Sequence, residues 1–255
     1  KVVVILNMGN VIETASWKGQ PDAILMAWQP GQEGGNSVAD VLTGKSNPSG
    51  KLTMTFPINC LDEPSSFNFP IGVQTTASTG GAKRKNIDYT LHQEDLNVGY
   101  RYFNTEKVTV SYPFGFGLSY TSFAYSKPVV KATKDGFEAQ VTVTNTGKLA
   151  GKEVVQLYVS APKGGLDKPA QELKSFAKTR VLQPNESQTL SFSVSNYDLA
   201  SFNEASQSWE TAQGKYVVYF SSNVEEARAS AVYNLAKMPY PVRCHNVMKL
   251  NRPLK

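Results

Sequence analysis

Three pairs of adjacent carboxylic acids are the residues of this sequence best suited to acid–base chemistry. They are Asp62-Glu63, Glu94-Asp95 and Glu225-Glu226. Two separated carboxylates can hydrolyse a glycosidic bond. Neighbouring side chains on an extended chain point to opposite sides, however, so each pair offers at most one group to a common site. Glu94 or Asp95, close in sequence to Arg101, is the best-placed candidate, and a solvated loop or a structural ion pair is the simpler explanation for these acids.

Other catalytic motifs are missing from the sequence. Asn7-Met8-Gly9-Asn10-Val11 follows a strand-like run, but it lacks the second and third glycines of a G-x-G-x-x-G dinucleotide fingerprint. The glycines at 31, 34 and 35 also miss that spacing. No G-x-S-x-G nucleophile elbow occurs. We therefore expect no bound cofactor and no serine-type catalysis.

Cysteine and histidine are too few to suggest a metal site or a disulfide framework. Cys60 and Cys244 lie far apart in the sequence, and only His92 and His245 could join them as ligands. The sequence predicts buried or idle thiols and no metal. It leaves open whether the two cysteines pair.

Aromatic side chains offer a second kind of sugar contact, by stacking on pyranose rings. The candidates are Trp17, Trp28, Tyr100, Tyr102, Phe103, Phe114 and Phe116. Aromatic residues in strands more often belong to a core. We therefore weigh core packing ahead of a sugar-stacking platform.

The elements that would position these residues begin with two apolar runs, at residues 2–6 and 22–28. Such short continuous runs are typical of strands buried on both faces of a parallel sheet. A short crossover between them is predicted to be helical around residues 11–17. The following residues, 34–42, have apolar positions at helical spacing, with Glu33 in the region of the helix cap and Gly44 as its stop.

A third strand is predicted at residues 51–56, ended by Pro57. The order of strand, crossover, strand, helix and strand is that of an α/β domain with a mostly parallel sheet. Three strands amount to about half of such a domain. Residues 57–97 lack periodicity and indicate a long surface loop, which includes the low-complexity patch at 75–81.

From about residue 127 the pattern changes to short strands with alternating apolar residues. Turn signals separate these strands over about 110 residues, which predicts an all-β sandwich of immunoglobulin or fibronectin type. We therefore divide the chain into a partial α/β domain at 1–125, a β-sandwich at 126–236 and a C-terminal arm at 237–255.

The net charge of +5 belongs to the arm alone. Residues 237–255 hold five basic residues and no acid, so the rest of the chain is neutral. Prolines and apolar residues interrupt the arm, which favours a packing arm that crosses to another domain over a nucleic-acid contact. No apolar run approaches the length of a membrane span. We expect neither nucleic acid nor membrane as a partner.

Several strings together resemble glycoside hydrolase family 3, closest to its β-glucosidase-like, three-domain members. In the first half they are Asp22-Ala23-Ile24-Leu25, Pro30-Gly31-Gln32-Glu33-Gly34-Gly35, Asn47-Pro48-Ser49-Gly50-Lys51-Leu52, Val98-Gly99-Tyr100-Arg101-Tyr102-Phe103 and Pro113-Phe114-Gly115-Phe116-Gly117-Leu118. In the second half, Asn145-Thr146-Gly147, Gly151-Lys152-Glu153-Val154-Val155 and Gln171-Glu172-Leu173-Lys174 resemble that family's fibronectin type III-like domain.

The resemblance implies the C-terminal portion of a retaining, exo-acting β-glycosidase. Family members of this kind have a barrel domain that supplies an Asp nucleophile and a loop that supplies a Glu acid/base. Both would precede Lys1, so no catalytic residue is assigned in this chain, and its substrate-binding residues stay unknown. The implied partners are a β-linked glucoside and the missing barrel domain. The alternative is a non-enzymatic carbohydrate-binding or adhesion module. Oligomeric state and compartment stay open, with a periplasmic or secreted location favoured over a cytoplasmic one.

Overall fold

The computed structural model describes residues 1–68, 92, 94–237, 239, 241–245 and 247. The low-complexity patch at 75–81 lies outside these residues. The helices are α1 (Gly34–Leu42), α2 (Ser65–Asn68) and α3 (Tyr100–Thr105), and a 3₁₀ turn spans Cys60–Asp62. The strands are β1 (Val3–Leu6), β2 (Ala23–Met26), β3 (Phe56–Pro57), β4 (Val110–Tyr112), β5 (Phe123–Tyr125), β6 (Val129–Thr133), β7 (Gly136–Asn145), β8 (Val154–Ser160), β9 (Glu172–Lys178), β10 (Ser187–Ser195), β11 (Ser201–Asn203), β12 (Ser208–Glu210), β13 (Gly214–Ser221), β14 (Ala227–Leu235) and β15 (Val242–Arg243). In the described part of the chain, no helix is long and apolar enough to cross a bilayer.

The first two strands form the expected parallel pair, with Val3 opposite Ala23 and Leu6 opposite Met26. Their predicted burial on both faces is wrong for this chain, because Val3 and Ile5 are 44% and 43% exposed. In the described sheet β1 has β2 as its single neighbour. An apolar β-branched strand therefore presents one face and one hydrogen-bonding edge to solvent.

The crossover between β1 and β2 is a series of turns, so the predicted helix at 11–17 is wrong. The Glu13 carboxylate accepts hydrogen bonds from the Ser16 amide (2.8 Å) and hydroxyl (2.7 Å). The Trp17 indole N–H donates to the Glu13 carbonyl (2.9 Å). Local side-chain bonds of this kind compete with the helical ladder.

The predicted strand at 51–56 is shorter and pairs differently. Only Phe56–Pro57 forms a strand, and it pairs antiparallel with β4 in a separate two-stranded sheet. Earlier in the segment, Leu52 exchanges backbone hydrogen bonds with Gly115 and Phe116, which belong to a turn. Because its partner is curved, the segment cannot extend a regular ladder, and the described first half holds one parallel pair rather than a larger parallel sheet.

The second half is the expected two-sheet sandwich. One sheet has the order β10-β7-β5, with β6 also paired to β7, and the other has the order β14-β13-β8-β9. Alternate side chains from both sheets form a single core. Its fully buried members include Phe137, Val143, Leu157, Val218 and Phe220.

A third, separate sheet has the order β11-β12-β15, and its first two strands lie between β10 and β13 in the sequence. The last strand, β15, comes from the basic C-terminal arm and pairs Val242 with Trp209. Residues 242–243 of the arm therefore pair with a small sheet of the fibronectin-like half. Residues 248–255 lie outside the described part of the chain.

Candidate functional site

The carboxyl ends of β1 and β2 open into a groove of about 470 Å³. Parallel strands end at the same edge of a sheet, and this is where open α/β sheets bind ligands. The groove is lined by Ile5, Asn7, Ala27, Gln29, Pro30, Gly31, Gly34, Gly35 and Val38. We call this surface the carboxyl-edge groove. It combines an apolar wall with the amides of Asn7 and Gln29, a composition that suits a neutral, hydroxylated ligand.

Trp28 holds the loop behind this groove in an unusual conformation. Its φ angle is +56°, in the left-handed region that a bulky residue rarely adopts. Its carbonyl accepts the Met8 amide (3.1 Å), which links the chain ends of the two strands. Its ring packs edge-on against Phe56, with centroids 6.5 Å apart. These contacts fix the direction in which Gln29 and Pro30 leave the sheet.

The start of α1 closes the other side of the groove. Gly34 is required there, because a Cβ at this position would lie 2.6 Å from Pro30 Cγ. Glu33 occupies the N-cap position but makes no side-chain hydrogen bond to the helix backbone. Its carboxylate accepts the side-chain amide of Asn36 instead (2.7 Å). Gly44, at φ +77°, ends this segment as expected.

The two acids of the pair Asp62-Glu63 have different surroundings. Asp62 accepts the Asn59 amide (2.8 Å) in a capping box at the 3₁₀ turn. Glu63 is half-buried, and this burial raises the pKa of its carboxyl group. The two acids therefore do not form a catalytic dyad.

The pair Glu94-Asp95 was the best-placed candidate, next to Arg101. The Arg101 Nε lies 3.4 Å from Oε1 of Glu172 in β9, as an ion pair without good hydrogen-bond geometry. Glu94 lies 3.9 Å from His92. Asp95 has a φ angle of +49° and occupies a turn. Arg101 thus ties α3 to the sandwich.

The pair Glu225-Glu226 lies on a loop of the sandwich. Glu226 forms an ion pair with Arg228 (2.9 Å), while Glu225 lines a separate groove of about 370 Å³ together with Asn104 and Lys107. The neighbouring acids do face different surroundings, as expected. Among the described residues, none of the contacts given above joins one acidic pair to another.

Comparison with known proteins identifies both halves. A profile described as the glycosyl hydrolase family 3 C-terminal domain matches residues 1–120, and one described as a fibronectin type III-like domain matches residues 153–224. The chain carries the C-terminal domain of glycosyl hydrolase family 3. Its family 3 domain is followed by the fibronectin-like domain, in the order that the sequence strings predicted.

Relatives of the chain include named β-glucosidases. Beta-glucosidase A of Butyrivibrio fibrisolvens is 40% identical over 261 residues, covering 92% of this chain and 30% of that protein. Beta-glucosidase BoGH3A of Bacteroides ovatus is 35% identical over 236 residues, covering 91% of this chain and 30% of that protein. The chain therefore spans about 30% of the length of these relatives.

Solved structures of β-glucosidases also match the chain over nearly its whole length. Beta-glucosidase 3B from Thermotoga neapolitana, in complex with glucose, superposes with a TM-score of 0.87 and 42% identity, covering 96% of this chain and 32% of that one. The GH3 beta-glucosidase of Bifidobacterium adolescentis superposes with a TM-score of 0.82 and 34% identity, covering 97% of this chain and 35% of that one. The similarity is continuous through both domains.

Two of the aromatic candidates, Tyr100 and Phe114, pack between the family 3 domain and the fibronectin-like domain. Tyr100 stacks on Phe114 (centroids 4.6 Å apart) and meets Tyr158 of β8 edge-on. The Leu173 amide donates to the Tyr100 hydroxyl (2.9 Å). Phe103 is buried. These contacts match the predicted core role for Tyr100, Phe103 and Phe114.

The sequence predicts buried or idle thiols, and both thiols are exposed, so burial is excluded and the idle alternative stays open. Cys60 and Cys244 are each free. In the described residues, no group of three or more His, Cys, Asp or Glu side chains could hold a metal ion.

Sequence reasoning missed two surfaces of the chain. The amides of Asn7 and Gln29 share the carboxyl-edge groove because they follow paired parallel strands, a signal that was present in the two apolar runs. A cluster of Tyr197, Phe202 and Trp209 on the fibronectin-like domain was also missed. Its signal was the pair of aromatics flanking the turn between β11 and β12.

Proposed function

We propose that this chain is the C-terminal portion of a retaining, exo-acting β-glycosidase that removes terminal β-linked glucose. The observation that carries the proposal is the continuous similarity of both domains to β-glucosidases, one of them solved with glucose. Retention would follow from two carboxylates, one acting as nucleophile and the other as acid/base.

Both catalytic carboxylates come from polypeptide outside this chain in our proposal. The relatives are about three times as long as the matched part. Among the pairs in this chain, Asp62 caps a turn and Glu226 is bound to Arg228. These local roles support a scaffold contribution of this segment.

The proposed contribution of the family 3 domain is the second half of an α/β sandwich. The exposed apolar face of β1, with Val3 and Ile5, and its free edge are the surface to which further strands would add. The carboxyl-edge groove would then border the substrate pocket. The fibronectin-like domain supports this arrangement through the aromatic contacts of Tyr100.

A chimaera tests the proposal directly. The upstream two thirds of the Thermotoga neapolitana enzyme, joined to this chain, should hydrolyse p-nitrophenyl β-glucoside and release β-glucose first in a proton NMR time course. The 255-residue chain alone should not turn over this substrate. Robust hydrolysis by the chain alone, or a folded chimaera with no activity, would contradict the proposal.

A matched pair of variants tests the role of β1. Val3→Asp should leave the fold of the isolated chain unchanged, since Val3 is 44% exposed and does not line the carboxyl-edge groove, but should abolish activity of the chimaera. Val129→Asp, at a residue 50% exposed in β6, should leave the chimaera active. Equal activity of the two variants would exclude β1 as the docking surface.

A further inference from the structure

The fibronectin-like domain presents a row of apolar side chains on its small third sheet. Phe202 in β11 lies opposite Trp209 in β12, and Trp209 lies opposite Val242 in β15, so the three share one face. Tyr197 joins them, with its ring 5.8 Å from that of Trp209. We call these four residues the aromatic face, and we infer that it is a carbohydrate-binding surface.

The aromatic face is open to solvent. Tyr197, Phe202 and Val242 are 55%, 41% and 49% exposed. The Trp209 ring lies between its neighbours, 5.5 Å from Phe202, and the rings are tilted by about 60° to one another. They form a stepped surface that offers ring faces and edges.

The charges of the small sheet lie on its opposite face. Successive strand residues alternate between faces, so Glu210 and Arg243, next to Trp209 and Val242, point away from the aromatic face. Hydrogen bonds from Ser206, Asn203 and Ser208 hold the Glu210 carboxylate on that side, and they lower its pKa below the usual value. Among the described residues of the small sheet, none therefore places a charge on the aromatic face, which matches a neutral ligand.

The polar ends of the rings distinguish a sugar from an apolar protein surface. The Trp209 indole N–H and the Tyr197 hydroxyl have no hydrogen-bond partner among the described residues. A pyranose offers C–H groups to aromatic faces and hydroxyl groups to such donors.

A second copy of the chain fits this surface less well. A stable interface buries roughly 800 Å² on each partner, more than four partly exposed side chains can supply. The ligand committed to here is a β-linked glucan oligosaccharide. That choice of sugar rests on the function proposed above, whereas the binding itself requires no hydrolysis.

Titration of the 255-residue chain with cellohexaose and laminarihexaose tests the inference. Tryptophan fluorescence should change saturably with at least one of them. Tyr197→Ser and Phe202→Ser keep all three tryptophans and should each weaken binding about tenfold. The matched control is Phe176→Ser, which removes an aromatic ring that is 69% exposed on β9, away from this face, and it should bind like wild type.

Several outcomes would overturn the inference. They are no saturable change with either glucan, an equal loss in Phe176→Ser, or a dimer by light scattering that Tyr197→Ser dissociates. Circular dichroism spectra and melting temperatures of the variants must match those of the wild type. If Phe202→Ser unfolds, the binding comparison is made with Tyr197→Ser alone. An inactive chimaera together with saturable glucan binding would overturn the proposed glycosidase function and leave this inference standing.

Discussion

Lys51 and Glu153 form an ion pair across the boundary between the family 3 domain and the fibronectin-like domain. Lys51 Nζ lies 3.1 Å from Glu153 Oε1, and the two side chains are only 14% and 11% exposed. Lys51 Nζ also donates to the Gly117 carbonyl (2.9 Å), and Glu153 Oε1 accepts the Val154 amide (2.7 Å). Both charges are therefore held by further bonds on their own side of the boundary.

Lys51→Met should destabilise the chain by about 3 kcal/mol, because it leaves the Glu153 carboxylate buried without its cation. Adding Glu153→Gln should recover part of the loss, since the neutral amide no longer needs a counter-charge. The free energies come from urea unfolding of the single and double variants. Lys45→Met is the control, because the Lys45–Asp40 pair is on the surface, and it should cost less than about 0.5 kcal/mol. Equal costs for the two lysines would refute the coupling.

Gly115→Ala should disrupt the same boundary. Gly115 has a φ angle of +80°, and a Cβ there would lie 2.0 Å from Gln156 Oε1. The buried Gln156 amide donates to the Gly115 and Ser222 carbonyls. Backbone strain and broken buried hydrogen bonds together should cost about 4 kcal/mol in urea unfolding.

Gly19→Ala is the control for this change, because nothing lies within 4 Å of a Cβ at Gly19. It should alter stability by less than about 0.5 kcal/mol. A tolerated Gly115→Ala would mean that the Gln156 side chain has another low-energy position.

Sequence patterns predict two kinds of element. One kind has strand partners that lie nearby in the chain, and the other has an apolar periodicity that continues over many residues. The parallel pair β1–β2, helix α1 and the sandwich strands all follow from apolar spacing. The crossover at 11–17 is present, but its predicted helical form is wrong because side-chain bonds of Glu13 compete with the helical ladder. The boundary contacts of Lys51, Glu153 and Gln156 join residues far apart in sequence, and no local pattern encodes such pairings.

Trp28 should reverse the usual ranking of alanine and glycine. Both Trp28→Gly and Trp28→Ala lose the edge-on contact with Phe56, but only glycine adopts a φ angle of +56° without strain. Trp28→Gly should therefore be more stable than Trp28→Ala by about 1 kcal/mol in urea unfolding. At Trp17, which has no positive φ angle, the glycine variant should not be the more stable one. An alanine variant at least as stable as glycine at position 28 would exclude backbone strain there.

Glu63 should make stability fall as pH rises. Burial raises the pKa of its carboxyl group in the folded chain. Between the unfolded and folded pKa values the folded state binds more protons, so the free energy of unfolding decreases with pH across that window. Glu63→Gln lacks this penalty. Its stability relative to wild type should increase through the window and level off above the folded pKa, as measured by urea unfolding at a series of pH values.

Glu186→Gln should show the opposite change of relative stability with pH in the same measurement. The Gln183 amide and then Arg180 lower the pKa of the Glu186 carboxyl, so the unfolded state binds more protons between the two pKa values. The stability that Glu186 contributes is present above its usual pKa and is lost as pH falls through the lowered one. Glu186→Gln should therefore be less stable than wild type at neutral pH, with the difference shrinking in acid. If both variants changed with pH in the same direction, burial could not be the cause of the Glu63 effect, because only Glu63 has its charged form disfavoured by the fold.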